Sequence, residues 1–186
     1  MAKKSENAPE RLFTVPVNEV MPVIGRSRVE IRGVAVHANT DSLKTFKKRG
    51  PKCWLCGIEG VFFSVEKQGD QDATHLKLYG KQGKKEVLLT KDHVIPKSWG
   101  GRNTMKNYRV LCSTCNNQLG KFYQMMQEFV VKTMKKHELN ASKEAICHLL
   151  APIASSGLHR LERAIRTLAA TLMVDEGPEH GWETIE

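Results

Sequence analysis

No apolar run in this chain of 186 residues approaches the roughly 18 residues that a membrane-crossing helix needs. Its opening stretch, MAKKSENAPE, lacks the apolar core of a secretory signal. A membrane span and export to an oxidising compartment are therefore not expected, and a reducing cytoplasm is. No internal repeat is evident. The composition, 40% hydrophobic and 26% charged, excludes a collagen or a disordered tail and fits a soluble globular chain with room for one ordinary domain plus an appendage.

Acidic residues are also in short supply, and in one place above all. The chain has 29 Lys+Arg against 20 Asp+Glu, a formal charge of +9. Between residues 81 and 136 only Glu86, Asp92 and Glu128 are acidic, and the rest of the chain sums to zero. A basic excess confined to one segment points to a polyanion, nucleic acid before anionic lipid, because no basic helix with a strongly apolar face accompanies it. A solvated basic surface kept for solubility is the plainer alternative.

Cysteines number five, and four of them form two C-x-x-C pairs, Cys53-Trp-Leu-Cys56 and Cys112-Ser-Thr-Cys115. A two-residue spacer lets a tight turn aim both sulfurs at one point, and two such knuckles supply the four thiolates that tetrahedral zinc prefers. Disulfides are disfavoured in a reducing compartment, and a redox pair needs only one such motif. The separation of Cys56 from Cys112 is far longer than in a compact zinc ribbon, so the intervening chain must fold back to close the site. A four-cysteine zinc has no open position and does no chemistry itself. Cys147 reads as a small buried hydrophobe.

Along the chain, RVEIRGVAV at 28–36 alternates as a strand does, and SLKTFKKRG at 42–50 reads as a short helix capped by Ser42 and ended by Gly50-Pro51. Three apolar runs between 61 and 92, with turn clusters at Gly69-Asp70 and Gly80 to Gly83, predict a small antiparallel sheet. Asp92-His93 closes the last run. A loop with Gly100, Gly101 and Asn103 follows, then a short strand from Tyr108 to Leu111, then a helix opened by CNNQLG that either ends at Gly120 or crosses it. Phe122, Met125, Phe129, Val130 and Met134 recur at helical spacing, as do Leu158, Leu161, Ile165, Leu168 and Leu172. Ser142 or Asn140 suits a helix cap between them. The expected organisation is an extension over 1–40, a zinc-stabilised core over 41–120, a helical region over 121–174 and an acidic tail over 175–186.

The stretch LLTKDHVIPKSWGGRNTMKNYRVLCSTCNNQLGKF, residues 88–122, resembles the HNH (ββα-metal, His-Me finger) endonucleases, and within them small phage- and intron-associated members with a four-cysteine zinc site. The pattern D-H-x-I-P, then G-G, then Asn, then L-C-x-x-C-N carries the resemblance. It implies an α+β fold, a ββα-metal core with a small antiparallel sheet and a four-cysteine zinc site, followed by C-terminal helices. It also implies that His93 is the general base, that Asp92 and Asn116 hold a divalent metal, and that Asn107 holds the loop and so orients His93. Adjacent strand residues point to opposite faces, and the family meets this with a bend between Asp92 and His93. Asn116 stands where many members have His, so both ligands offer oxygen, which suits Mg2+ or Mn2+ over softer metals. Lys91, Lys97, Arg102, Lys106, Arg109 and Lys121 flank the site as candidate phosphate contacts.

The sequence thus points to a metal-dependent DNA endonuclease, with a homodimer through the C-terminal helices as a route to two nicks. The alternative is a zinc-stabilised nucleic-acid-binding module that does not cleave. A structural adaptor using the C-terminal helices explains neither the charge nor the Asp-His pair.

Overall fold

A computed structural model describes residues 9–67 and 74–136, together with 142, 146, 150 and 151. The turn at Gly69-Asp70, Cys147, the leucine stripe from Leu158, the cap at Asn140 and the acidic tail lie outside the described residues. Strand β1 (Glu10–Pro16) leads into a single turn of helix, α1 (Val17–Val20), and a short 3-10 turn. A hairpin, β2 (Val29–Ile31) and β3 (Val34–Val36), precedes helix α2 (Asp41–Arg49). Strands β4 (Gly60–Lys67), β5 (Thr74–Gln82), β6 (Lys85–His93) and β7 (Tyr108–Cys112) follow, and helix α3 (Ser113–Lys136) closes the described chain.

Five strands form one antiparallel sheet in the order β1-β4-β5-β6-β7. The expected small sheet is present, extended at one edge by β1 from the N-terminal stretch. Val15, Phe63, Val65, Leu76, Leu78, Leu89 and Val110 project from one face into the main core, where α1, the hairpin and α2 cover them with Val20, Val36, Leu43 and Phe46. Helix α3 packs on β6 and β7 from the other side. The β6-β7 pair is therefore held between α2 and α3.

Three local expectations are corrected. The run at 28–36 is a hairpin and not one strand, because Arg32 and Gly33 both take positive φ (50° and 78°), the left-handed pair that a two-residue turn requires. The cap of α2 is Thr40, whose hydroxyl accepts the Leu43 N–H at 3.3 Å, and not Ser42, which lies inside the first turn. Strand β5 runs through Gly80 to Gln82, so its turn with β6 falls at Gly83-Lys84.

Helix α3 crosses Gly120 without a break. Of the apolar stripe expected on it, Val130 and Met134 are buried with Met126, while Met125 and Phe129 are more than half exposed. The buried set meets Trp99, Ile146 and Leu150 in a second cluster. Among the described residues no helix is long and apolar enough to cross a membrane.

Candidate functional site

The four cysteines come together as expected. Cys53 and Cys56 sit in the turn before β4, Cys112 ends β7, and Cys115 lies in the first turn of α3. Their Sγ atoms lie within 4.8 Å of one another, and Cys56 Sγ is 3.7 Å from Cys112 Sγ. Four sulfurs at a Zn–S distance of about 2.3 Å sit about 3.8 Å apart at the corners of a tetrahedron, close to the Cys56–Cys112 separation, so the cluster suits zinc. Backbone groups shape the knuckles: the Cys53 N–H donates to the Ile58 carbonyl, Gly57 N–H to the Cys53 carbonyl, and Cys115 N–H to Cys112 Sγ.

The thiols are electrostatically unequal. Burial alone pushes Cys53 upward, but the N–H groups of Cys56, Cys112 and Leu55 directed at its sulfur outweigh this and bring it down to about 7. Burial and neighbouring sulfurs push Cys112 and Cys115 up. Four thiolates so close repel one another, and a dication at their centre is the natural partner.

Around Asp92-His93 the pairing of β6 with β7 continues through Asp92↔Arg109 and His93↔Tyr108. The register is unbroken, so no bulge separates the two residues. Asp92 Oδ2 accepts from Arg109 Nε at 2.8 Å, and the same guanidinium donates to the Tyr123 hydroxyl of α3 at 3.0 Å. Arg109 is 6% exposed. Unlike Lys97, Arg102, Lys106 and Lys121, which are exposed, it is committed to Asp92. Lys91 lies between: half-buried, 4.1 Å over the Tyr108 ring and 3.9 Å from the Asp41 carboxylate.

His93 meets Tyr108 edge-on, with ring centroids 5.0 Å apart, and the Tyr108 hydroxyl donates to Asp41 of α2. Its Nε2 is 2.9 Å from Asn103 Oδ1. A carbonyl oxygen only accepts, so this contact suits the tautomer with hydrogen on Nε2 and the lone pair on Nδ1. Asn103 is the partner that sequence reasoning passed over, although its place directly after Gly-Gly-Arg marked it as part of the loop.

Asn107 makes no hydrogen bond to His93. It holds the loop: its Oδ1 accepts the Ile95 N–H at 2.8 Å, its Nδ2 donates to the carbonyls of Ile95 and Arg102, and its own carbonyl accepts the Val94 N–H. Asn116, one residue past Cys115, turns its Nδ2 to Thr90 Oγ1 at 3.4 Å. Its amide oxygen is the end turned away from Thr90. Thr90 and Asp92 share a face of β6, so Asn116 and Asp92 approach the sheet from the same side. Trp99 is buried against Tyr123 and donates from Nε1 to Gln127. It anchors the loop to α3.

Comparison with protein families matches residues 78–129 to the family described as HNH endonuclease. Comparison with curated proteins and with solved structures gave no match. The matched stretch runs from the second half of β5 through β6, the loop, β7 and most of α3, and it contains Asp92, His93, Asn107, Asn116 and the second cysteine knuckle. Over residues 78–129, which take in β6, the loop, β7, most of α3 and two of the four clustered cysteines, the chain is similar to the HNH endonuclease family.

Proposed function

We propose that the protein is a metal-dependent DNA endonuclease that hydrolyses phosphodiester bonds. The observation that carries this reading is the pinned imidazole: His93 Nε2 is held by Asn103 on a loop that Asn107 ties down, which leaves Nδ1 free as a base. In that role His93 takes a proton from the attacking water, the new bond forms from water oxygen to phosphorus, and the bond to the 3′ oxygen breaks. Asp92 and Asn116 offer two oxygen ligands, a donor set that fits Mg2+ or Mn2+. The cation supplies charge stabilisation at the scissile phosphate and the leaving oxygen. Arg109 serves as a positioning residue that sets the Asp92 carboxylate. Lys97, Arg102, Lys106 and Lys121, with Lys91 behind them, meet the DNA backbone without reading bases. Zinc at the four cysteines holds the start of α3, and with it Asn116, against the sheet.

Supercoiled plasmid incubated with Mg2+ tests this. Wild type is expected to nick or linearise it, and His93→Ala to lower the rate by about 10² to 10⁴-fold, the usual worth of a positioned base. Equal relaxation by both proteins would sink the mechanism, and activity with Ni2+ or Zn2+ but none with Mg2+ would sink the ligand assignment. The ion pair between Asp92 and Arg109 favours one other reading, a binding module that does not cleave, because a carboxylate already paired is a poorer metal ligand. Tight DNA binding without cleavage under any divalent metal would decide for it.

The role of Asn103 is separable. Asn103→Ala is expected to slow cleavage about tenfold or more with little change in DNA affinity, while Asn103→Asp, which still accepts from Nε2, retains most of the rate. Loss of affinity in step with rate would place Asn103 on the DNA and not on His93.

A further inference from the structure

Beside the β6-β7 pair lies an open cleft of about 770 Å³, between the first cysteine knuckle, the end of α2 and the start of β7. Its charged lining is Arg49, Lys52, Lys106 and Arg109, and no carboxylate contributes. Its large apolar surface is Trp54, which is 53% exposed although it stands next to buried Cys53. The indole is no loose side chain. The Trp54 N–H donates to the Val110 carbonyl at 2.8 Å, so the knuckle fixes its backbone on β7, and the Arg109 guanidinium lies 5.1 Å from its ring centroid. Arg109 is itself held by Asp92 and Tyr123. Arg109 takes one face of the ring, and half of the residue's surface stays open to solvent.

A fixed aromatic face in a cleft whose charged side chains, the zinc-site cysteines apart, are all cations matches one ligand class. Aromatic faces stack on bases, cations follow the phosphates, and a base inside an intact duplex has no free face to offer. Arg49 is oriented into place by the Met105 and Lys106 carbonyls, at 3.1 and 3.4 Å. Lys52 has only an exposed ion pair with Glu59 at 3.5 Å, which a phosphate can displace.

We propose that this cleft binds an unstacked nucleotide of a single-stranded DNA segment adjoining the cleaved phosphate, with Trp54 stacking on the base and Arg49, Lys52 and Lys106 meeting the backbone. The substrate class is then DNA with a single-stranded tail, flap or gap. This rests on the nuclease reading for its placement beside Asp92, and not for the binding itself.

Fluorescence anisotropy tests it with two probes at equal salt, a labelled blunt duplex and the same duplex carrying a single-stranded tail, in the His93→Ala background so that neither is cut. Wild-type Trp54 is expected to bind the tailed probe more tightly. Trp54→Leu, which keeps an apolar side chain but no π face, is expected to lose about tenfold on the tailed probe and under twofold on the blunt one, while Trp54→Tyr stays close to Trp. Zinc content, read by colorimetric release, should match in all three. Equal affinity for both probes at wild type, equal losses on both probes in Trp54→Leu, or indistinguishable Leu and Tyr variants would each overturn the proposal. Failure of the nuclease reading shows separately, as absence of plasmid cleavage by the protein with His93 intact.

Discussion

Removal of zinc from the four-cysteine cluster, by a strong chelator or by Cys115→Ser, is expected to lower the melting temperature by roughly 20 °C or more and to abolish cleavage. Structural zinc at such sites contributes on the order of 10 kcal/mol of folding free energy, and in a chain of this size each kcal/mol moves the midpoint by about 2 to 4 °C. The packing shows why so much depends on it. Cys53, Cys112 and Cys115 are buried with Leu111 and Val87 in a cluster of their own, separate from the main core. It has few other apolar members, so beyond the Trp54 contacts with Val110 and Arg109 little else holds the first knuckle to β7. Asn116 follows Cys115 directly, so freeing the second knuckle displaces a proposed ligand of the catalytic metal. The checks are thermal melting by circular dichroism with and without chelator, zinc stoichiometry, and plasmid cleavage after Mg2+ is restored in excess. An unchanged melting curve in a zinc-free protein would show that the cysteines pack as plain hydrophobes.

The second large effect is expected at Gly101. A Cβ there would collide with the Ile95 carbonyl oxygen and stand 2.8 Å from that of Pro96, so backbone and not a flexible side chain must move. Gly101 N–H donates to the Pro96 carbonyl, and the Ile95 carbonyl is also an acceptor for Asn107 Nδ2. Relief of the clash therefore breaks the Asn107 staple and carries Asn103 away from His93. Gly101→Ala is expected to cost about 3 kcal/mol or more and to bring cleavage down to the level of His93→Ala. Gly100→Ala is the control. Gly100 has φ 82°, yet nothing lies within 4 Å of its added carbon, so it carries only the left-handed penalty of about 1 to 2 kcal/mol. Similar losses in the two variants would mean that backbone conformation, and not the close approach to Ile95, makes this loop need glycine.

Much of the site was legible because it is local. Asp92 and His93 are neighbours, the two cysteine knuckles declare themselves by spacing, and Gly100-Gly101 marks a loop whose tightness only a missing side chain allows. Less legible is how Asp92 and His93 are held: they pair across the sheet with Arg109 and Tyr108, residues 17 and 15 positions later. Arg109 read as one more cation for phosphate. Its burial between Asp92, Tyr123 and Trp54 depends on three distant segments meeting, and no periodicity in any one of them announces that. The apolar stripe on α3 was half right for a similar reason: helical spacing names two adjoining lines of residues, and only contact with Trp99, Ile146 and Leu150 selects Met126, Val130 and Met134 over Met125 and Phe129.

By itself, then, the sequence determined the groups available to this protein: an Asp-His pair, the side-chain oxygens of Asp92 and Asn116, four sulfurs spaced for a metal ion, and a basic segment around them. These follow from residue type and short spacing, which do not change when the chain folds. Tertiary structure alone decided which partners those groups meet. It placed Asn103 on His93, Arg109 on Asp92, and Trp54 in a cationic cleft, because antiparallel pairing of β6 with β7 and the docking of a knuckle on β7 join residues that lie far apart along the chain.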